Sequence, residues 1–181
     1  MHGLIFSELR KYVEERAGAG TWPRVCVEAG VERALHRETE AYANAELVAL
    51  VEATSRLTGT AVSMLLEDFG AFLVSGLFET YMPAPPPEWG ALDVLEHAEQ
   101  HCHRTARQLD PIANPPRLRI QRASATEVQI TYASPRRLCH IARGVARGVL
   151  VRYRESGSVS ESICMHRGDA VCLISVRSSG N

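Results

Sequence analysis

The sequence lacks an excess of charge of either sign. Twenty Lys and Arg stand against 21 Asp and Glu, which gives a net charge of −1 and a pI near 6.7. Proteins that hold nucleic acid or anionic lipid by electrostatic attraction usually carry a strongly basic surface. We therefore expect neither a nucleic-acid partner nor a membrane surface as partner.

Long apolar runs are also missing. The longest, such as residues 61–66, are far shorter than the roughly 20 residues that span a bilayer. Arg10, Lys11, Glu14 and Glu15 interrupt the N-terminal segment, so it does not have the pattern of a signal peptide. These absences predict a cytoplasmic protein. The 45% hydrophobic content over 181 residues excludes a disordered composition and suits one domain, 1–181.

The sequence also lacks the even number of cysteines that a complete set of disulfides requires. The chain has five: Cys26, Cys102, Cys139, Cys164 and Cys172. An odd number in a chain expected to be cytoplasmic disfavours a disulfide framework. Metal binding or redox sensing is an alternative for cysteines that cluster, whereas any one of them alone can equally be a small buried apolar residue.

The first half of the chain has helical periodicity. Apolar spacing predicts a first helix that is stopped at residues 18–20, and a second that begins with Thr21 as N-cap and runs towards Gly30. Two more helices are predicted over roughly 45–57 and 62–78. The proline-rich segment 83–87 is the clearest break, and we interpret it as a loop inside one domain.

The second half changes from helical to alternating periodicity. A long helix is predicted over about 89–109, ended by Pro111, Pro115 and Pro116. Alternation over 117–120 and 127–132 predicts a β-hairpin, followed by a helix over about 136–153 and two strands near 158–165 and 170–176. The predicted fold class is therefore α+β with an antiparallel sheet in the C-terminal half.

Tyr132, Ser134 and Arg136 are spaced by two residues, so an extended segment would point all three to one side. A phenol, a hydroxyl and a guanidinium on one side suit the binding of carboxylates, which Arg binds in bidentate fashion. A polar strand end that leads into a helix would have the same spacing, so the motif alone leaves both interpretations open.

Several motifs occur in a fixed order along the whole chain, and together they resemble the haem nitric oxide/oxygen binding (H-NOX) family, which includes the sensor domain of soluble guanylate cyclase. They are Met1-x-Gly3-x-Ile5, Trp22, Phe69-Gly70, His103, Pro111, Pro115-Pro116, Tyr132-x-Ser134-x-Arg136, Gly144 and Gly148.

The resemblance implies a helical N-terminal subdomain, about 1–60, packed on an α+β subdomain, about 61–181, with haem between them. Tyr132, Ser134 and Arg136 would hold the haem propionates, and Ile5 and Pro116 would press on the porphyrin. The haem would be non-covalent haem b, because no Cys-x-x-Cys-His attachment motif is present.

The resemblance also implies that His103 is the axial ligand of the iron, since its spacing to Pro111 and Pro116 matches the family without a gap. His97 and His101 lie on the same predicted helix, and we interpret them as surface or core residues that are four apart and able to bind a surface metal. Cys102 replaces the usual aliphatic residue before the ligand, so a thiolate ligand is an alternative.

Gas selectivity in the family depends on a tyrosine hydroxyl above the bound gas, and here Ile141 stands at that position. Other expected pocket residues, Leu9, Phe72, Leu73 and Val74, are also apolar. Bound oxygen gains from a hydrogen-bond donor, whereas nitric oxide binds tightly without one. The resemblance therefore implies a receptor for NO, with CO as a laboratory ligand.

The last cluster is built around Cys164 and Cys172, which a turn at Gly168-Asp169 would place on adjacent strands. Some family members bind zinc through these positions, Cys139 and a fourth ligand, which in this sequence is Glu161. Glu161 is a poor partner for thiolates, and His166 is an alternative that would complete a Cys3His tetrahedron. Cysteines that pack without a metal remain an equal alternative.

The function implied is a stand-alone sensor, not an enzyme. Binding of NO to ferrous haem would weaken or break the bond from His103 and shift the two subdomains. A separate partner would read that shift, since 181 residues leave little room for an output domain. In bacterial relatives the partner is typically a histidine kinase or a cyclic-di-nucleotide enzyme. The alternatives are a haem-free interaction or adaptor module that keeps the fold, and a haem enzyme, for which the sequence offers no obvious general acid.

Overall fold

The computed structural model describes residues 1–109 and 114–179, which form helices followed by a sheet with one further helix. The helices are α1 Gly3–Ala17, α2 Thr21–Ala29, α3 Asn44–Thr58, α4 Val62–Phe72, α5 Val74–Tyr81, α6 Ala91–Ala98, α7 Arg104–Leu109 and α8 Cys139–Arg152, with a π-helical turn Glu99–His103 between α6 and α7. The strands are β1 Arg117–Ser124, β2 Glu127–Ala133, β3 Gly157–Ile163 and β4 Cys172–Ser178. None of the described helices combines the length and the apolar character that a bilayer crossing requires.

The first three helices lie close to their predicted places, with one correction at the start of α2. Thr21 is not the N-cap: Gly20 occupies that position, and the Thr21 hydroxyl donates to the carbonyl of Ala17 at 2.8 Å. Helices α2 and α3 end at Gly30 and Gly59, whose φ angles of 67° and 71° are in the left-handed region that glycine adopts without strain.

Two predicted helices are interrupted. The helix expected over 62–78 is two helices, α4 and α5, that meet at Leu73. Leu73 is buried in a core formed by the first four helices, whereas Val74 is buried in a second core. The helix expected over 89–109 begins at Ala91 and contains the π-helical turn. Pro111, expected to end it, lies outside the described residues.

The sheet is antiparallel throughout, with strand order β1-β2-β4-β3. Ile130 pairs with Ile120 on one side and with Ile174 on the other, and alternate residues of β2 and β4 are buried. The predicted alternation and the α+β class are therefore confirmed. The helix predicted over 136–153 begins later, at Cys139.

The buried residues form two main cores. The first contains Phe6, Trp22 and Leu47 from α1 to α3 together with α4, and the second contains residues of α5, α6, α8 and the sheet. These cores separate between Leu73 and Val74, later in the chain than the subdomain boundary expected near residue 60.

Helices α4 and α8 meet through glycine. A Cβ atom built on Gly144 would lie 1.9 Å from the carbonyl oxygen of Glu67 and 2.9 Å from the Cα of Gly70. Such distances are impossible for a real side chain, so the two backbones approach more closely than any other residue would permit. This contact joins the helix of the first core to the helix of the second.

Candidate functional site

An apolar-lined cavity lies between the helices and the inner face of the sheet. It is lined by residues of α1, α5, α6, the π-helical turn, β1, β2 and α8, including Leu77, Leu95, Leu118, Ile130 and Val145. Concave, mostly apolar cavities with a few polar groups are where proteins hold cofactors.

The residues selected from the sequence converge on this cavity. His103, Tyr132, Arg136, Ile5, Pro116 and Ile141 all line it. Ser134 is buried beside them, and its hydroxyl lies 3.3 Å from the backbone nitrogen of Arg136 and 3.4 Å from its Nε. The fold therefore brings together residues from five separate segments of the chain.

His103 is held by a carboxylate. Its Nδ1 lies 2.6 Å from Oε2 of Glu99, so Nε2 is the nitrogen that can bind a metal. Burial lowers the pKa of His103, and the hydrogen bond to Glu99 opposes this shift without cancelling it. The imidazole is therefore neutral at pH 7, which is the form that binds metals.

Sequence reasoning missed Glu99. The signal was available, because a carboxylate four residues before a histidine on a helix is within reach of its ring. Burial alone would raise the pKa of Glu99, but hydrogen bonds from Arg107 and His103 outweigh it and the pKa is lowered. Glu99 is therefore an anion at neutral pH.

The alternative iron ligands fit less well. His97 stacks on the ring of Trp89 at 4.4 Å between centroids, and His101 meets the same ring edge-on at 5.4 Å. Neither is among the described residues that line the cavity. Cys102 does line it, and burial raises the pKa of its thiol to about 11, so without a metal this residue is a neutral thiol at pH 7.

Arg136 is a half-buried cation whose contacts among the described residues are to neutral groups. Its guanidinium contacts the hydroxyl of Ser134, the carbonyl of Asn114 and the sulfur of Met1, and no carboxylate contacts it within the described parts of the chain. The hydroxyl of Tyr132 accepts a hydrogen bond from the backbone nitrogen of Leu138 at 3.1 Å. A desolvated cation that opens on a cavity favours an anionic ligand.

The pocket wall differs in part from the expectation. Leu73 and Ile141 line the cavity, but Leu9, Phe72 and Val74 do not, because Leu9 and Phe72 pack in the first core and Val74 in the second. The wall also includes three polar residues that the sequence did not indicate, His2, Tyr81 and Asn114.

Three buried cysteines form a second cluster, next to Tyr132. The sulfur of Cys164 lies 3.7 Å from the sulfur of Cys139 and 3.7 Å from that of Cys172. The connection between the strands is a 3₁₀ turn, Met165–Arg167, followed by Gly168, rather than a tight hairpin, and Cys164 lies just beyond β3. The predicted proximity of Cys164 and Cys172 is confirmed.

The fourth donor near the three sulfurs is Glu161, not His166. The ligand atoms of Glu161, Cys139, Cys164 and Cys172 all lie within 4.8 Å of one another. Oε1 of Glu161 is buried and has no hydrogen-bond partner among the described residues. His166 instead groups with Cys139 and His140, and its Nε2 lies 2.8 Å from the carbonyl of Arg137.

Comparison with known proteins gives a consistent result. Residues 2–161 match the family model described as haem-NO-binding. A search of curated proteins found no match.

Several solved structures are similar over the whole chain. An H-NOX protein from S. oneidensis in its Fe(II)NO state has a TM-score of 0.91 at 22% identity, covering 99% of this chain and 100% of that one. The Fe(II) unliganded H-NOX protein from K. algicida has a TM-score of 0.88 at 19% identity, with 100% and 98% covered. An I5F mutant of the T. Tengcongensis H-NOX has a TM-score of 0.84 at 17% identity, with 99% and 98% covered.

Proposed function

The chain belongs to the haem-NO-binding (H-NOX) family of haem-based gas sensor domains, and from this we propose that it binds haem b through His103 and senses nitric oxide. The observation that carries the proposal is the cavity itself. It combines a neutral histidine with a cation that contacts no carboxylate among the described residues, and apolar side chains surround both. A haem-free adaptor would gain nothing from a half-buried guanidinium that meets no carboxylate in the described parts of the chain.

Each residue has a separate role in this proposal. Nε2 of His103 would hold the haem iron, and Arg136 with Ser134 and Tyr132 would hold the propionates. Ile5 and Pro116, which line the cavity, would pack against the porphyrin. Ferrous haem supplies the iron centre to which NO and CO bind.

The signal would pass to a separate protein. The close contact of Gly70 with Gly144 joins the two cores, so a displacement at the cavity wall near Ile141 also acts on α4. By family resemblance we propose a cytoplasmic sensor without enzymatic activity whose partner is a histidine kinase or a cyclic-di-nucleotide enzyme.

Gas binding tests the proposal. We expect the purified ferrous protein to change its absorption spectrum with NO and with CO, but to form no stable oxygen complex in air. The reason is that Ile141 offers no hydrogen-bond donor at the position where oxygen-binding relatives have a tyrosine. Anaerobic titration followed by exposure to air measures all three ligands.

A long-lived oxygen complex in the wild type would contradict the selectivity for NO. In that case the Tyr81→Phe variant tests whether the Tyr81 hydroxyl is the hydrogen-bond donor to oxygen, since Tyr81 also lines the cavity.

Ile141→Tyr is the converse variant: a gain of oxygen affinity would show that residue 141 faces the bound gas. An unchanged oxygen affinity would mean that no second residue orients the introduced tyrosine hydroxyl towards the bound gas.

We also propose that the cysteine cluster binds one zinc ion. A zinc–sulfur bond of about 2.3 Å gives a tetrahedral edge of about 3.8 Å, which is close to the two sulfur separations of 3.7 Å. Metal analysis of protein purified under reducing conditions is expected to find about one zinc per chain, and Cys164→Ala is expected to lose it. Oxidation of the thiolates would release the metal and loosen the start of α8.

Cys26→Ala is the matched control, because Cys26 is buried in α2 and belongs to the other core. It should keep the full zinc content. Zinc that is absent from the wild type would mean that the three cysteines are packing residues, and the redox proposal would then be dropped.

A further inference from the structure

The π-helical turn brings a carboxylate against the proposed iron ligand. The hydrogen bond from the backbone nitrogen of Arg104 to the carbonyl of Glu99 spans five residues and defines this turn. Within it, Oε2 of Glu99 lies 2.6 Å from Nδ1 of His103. The contact is short and involves an anion, as in the stronger class of hydrogen bonds.

The second oxygen of Glu99 is also engaged. Nη2 of Arg107, one turn further along α7, donates to Oε1 at 2.7 Å. The two partners therefore use different oxygens of one carboxylate, so Arg107 fixes the carboxylate without displacing it from His103. Both side chains of the Glu99–His103 pair are largely removed from solvent, with 30% and 19% exposed.

A carboxylate that accepts a hydrogen bond from the non-ligating nitrogen of a metal-bound histidine has known consequences. It fixes the tautomer and the orientation of the ring, and it makes the other nitrogen a stronger donor to the metal. A backbone carbonyl or water at the same place carries no net charge, so its effect on the ligand is smaller.

We propose that Glu99 is a positioning residue that strengthens the bond between His103 and the haem iron, and so sets how readily NO releases that bond. The inference rests on the proposed role of His103 as axial ligand. In this proposal Glu99 decides the ratio of two forms of the NO-treated protein. In one form His103 stays bound to the iron, and in the other it is released.

The first test is vibrational. Glu99→Gln keeps an acceptor oxygen but removes the charge, and Glu99→Leu removes both. The iron–histidine stretching frequency of the ferrous protein without gas, measured by resonance Raman spectroscopy, is expected to fall from wild type to Gln and further to Leu. The share of NO-treated protein that retains His103 is expected to fall in the same order, as read from its absorption spectrum.

Glu96→Gln is the matched control. Glu96 lies in α6 and is paired with Arg122 at 2.9 Å, so the same chemical change occurs away from His103. It should leave the frequency at the wild-type value. An equal shift in Glu96→Gln would mean that the frequency reports general loosening of the helix, and the proposal would be overturned.

The second test replaces the histidine ring by a free ligand. In His103→Gly, imidazole is able to donate its N–H to Glu99, whereas 1-methylimidazole has no such hydrogen. We expect imidazole to bind roughly tenfold more tightly than 1-methylimidazole, by analogy with lost carboxylate partners at other metal sites. The preference should disappear in the double variant with Glu99→Leu.

The two levels of the proposal fail differently. If the wild type holds no haem, or if His103→Gly leaves its spectrum unchanged, the proposed function is wrong. If haem and His103 behave as expected but all Glu99 variants share the wild-type frequency and the imidazole preference persists without Glu99, this inference alone is wrong.

Discussion

Haem is expected to be largely lost from the His103→Gly variant and to return when imidazole is supplied. His103 lines the cavity together with Arg136, and its imidazole is neutral and held by the carboxylate of Glu99. In the proposed site the removal of His103 would leave the iron without a protein ligand, so only apolar contacts and the proposed propionate interactions would remain. The ratio of haem absorbance to protein absorbance after gel filtration measures the loss.

His101→Gly is the matched control on the same turn. His101 packs on Trp89 outside the cavity wall, so this variant should retain haem with a wild-type ferrous spectrum. The reverse outcome, with haem kept in His103→Gly and lost in His101→Gly, would show that the assignment of the ligand is displaced by two residues.

Gly144→Ala is expected to destabilise the protein by about 3 kcal/mol or more, near the upper end for overpacked sites. The added Cβ would lie 1.9 Å from the carbonyl oxygen of Glu67, and the obstacle is backbone rather than a flexible side chain. Helices α4 and α8 would have to separate, and both cores would lose contacts. Urea unfolding followed by circular dichroism measures the change in the free energy of unfolding.

Val151→Ala in the same helix provides the comparison. Val151 is 72% exposed, so its truncation should change the free energy of unfolding by about 0.5 kcal/mol at most. If Gly144→Ala is as mild as Val151→Ala, the close approach of the two helices does not contribute to stability, and the coupling between the cores through this contact should be rejected.

Local features of the fold were readable from the sequence. The alternation of Val128, Ile130 and Tyr132 predicted a strand with one buried face, because successive side chains of a strand point to opposite sides. Glycines after α2 and α3 predicted their ends, because few other residues adopt the left-handed conformation there. These properties depend on a few neighbouring residues.

Features that arise from packing between distant segments were not readable. The break at Leu73 exists because Leu73 and its neighbour Val74 are buried in different cores, and nothing in the local pattern marks that change. The pocket wall shows the same effect. Phe72, next to the break, was expected to line the cavity and does not, whereas Tyr81, at the end of α5, was not expected there and lines it.

The sequence by itself determined which residues are the candidates to hold a cofactor, since His103, Tyr132 and Arg136 belong to motifs whose order and spacing are linear properties. Only the tertiary structure decided which groups those residues meet. It placed Glu99 against His103, left Arg136 without a described carboxylate partner, and put Glu161 rather than His166 beside the three sulfurs. The physical reason is that a side chain's partners depend on distances between segments far apart in the chain, which spacing along the chain does not encode.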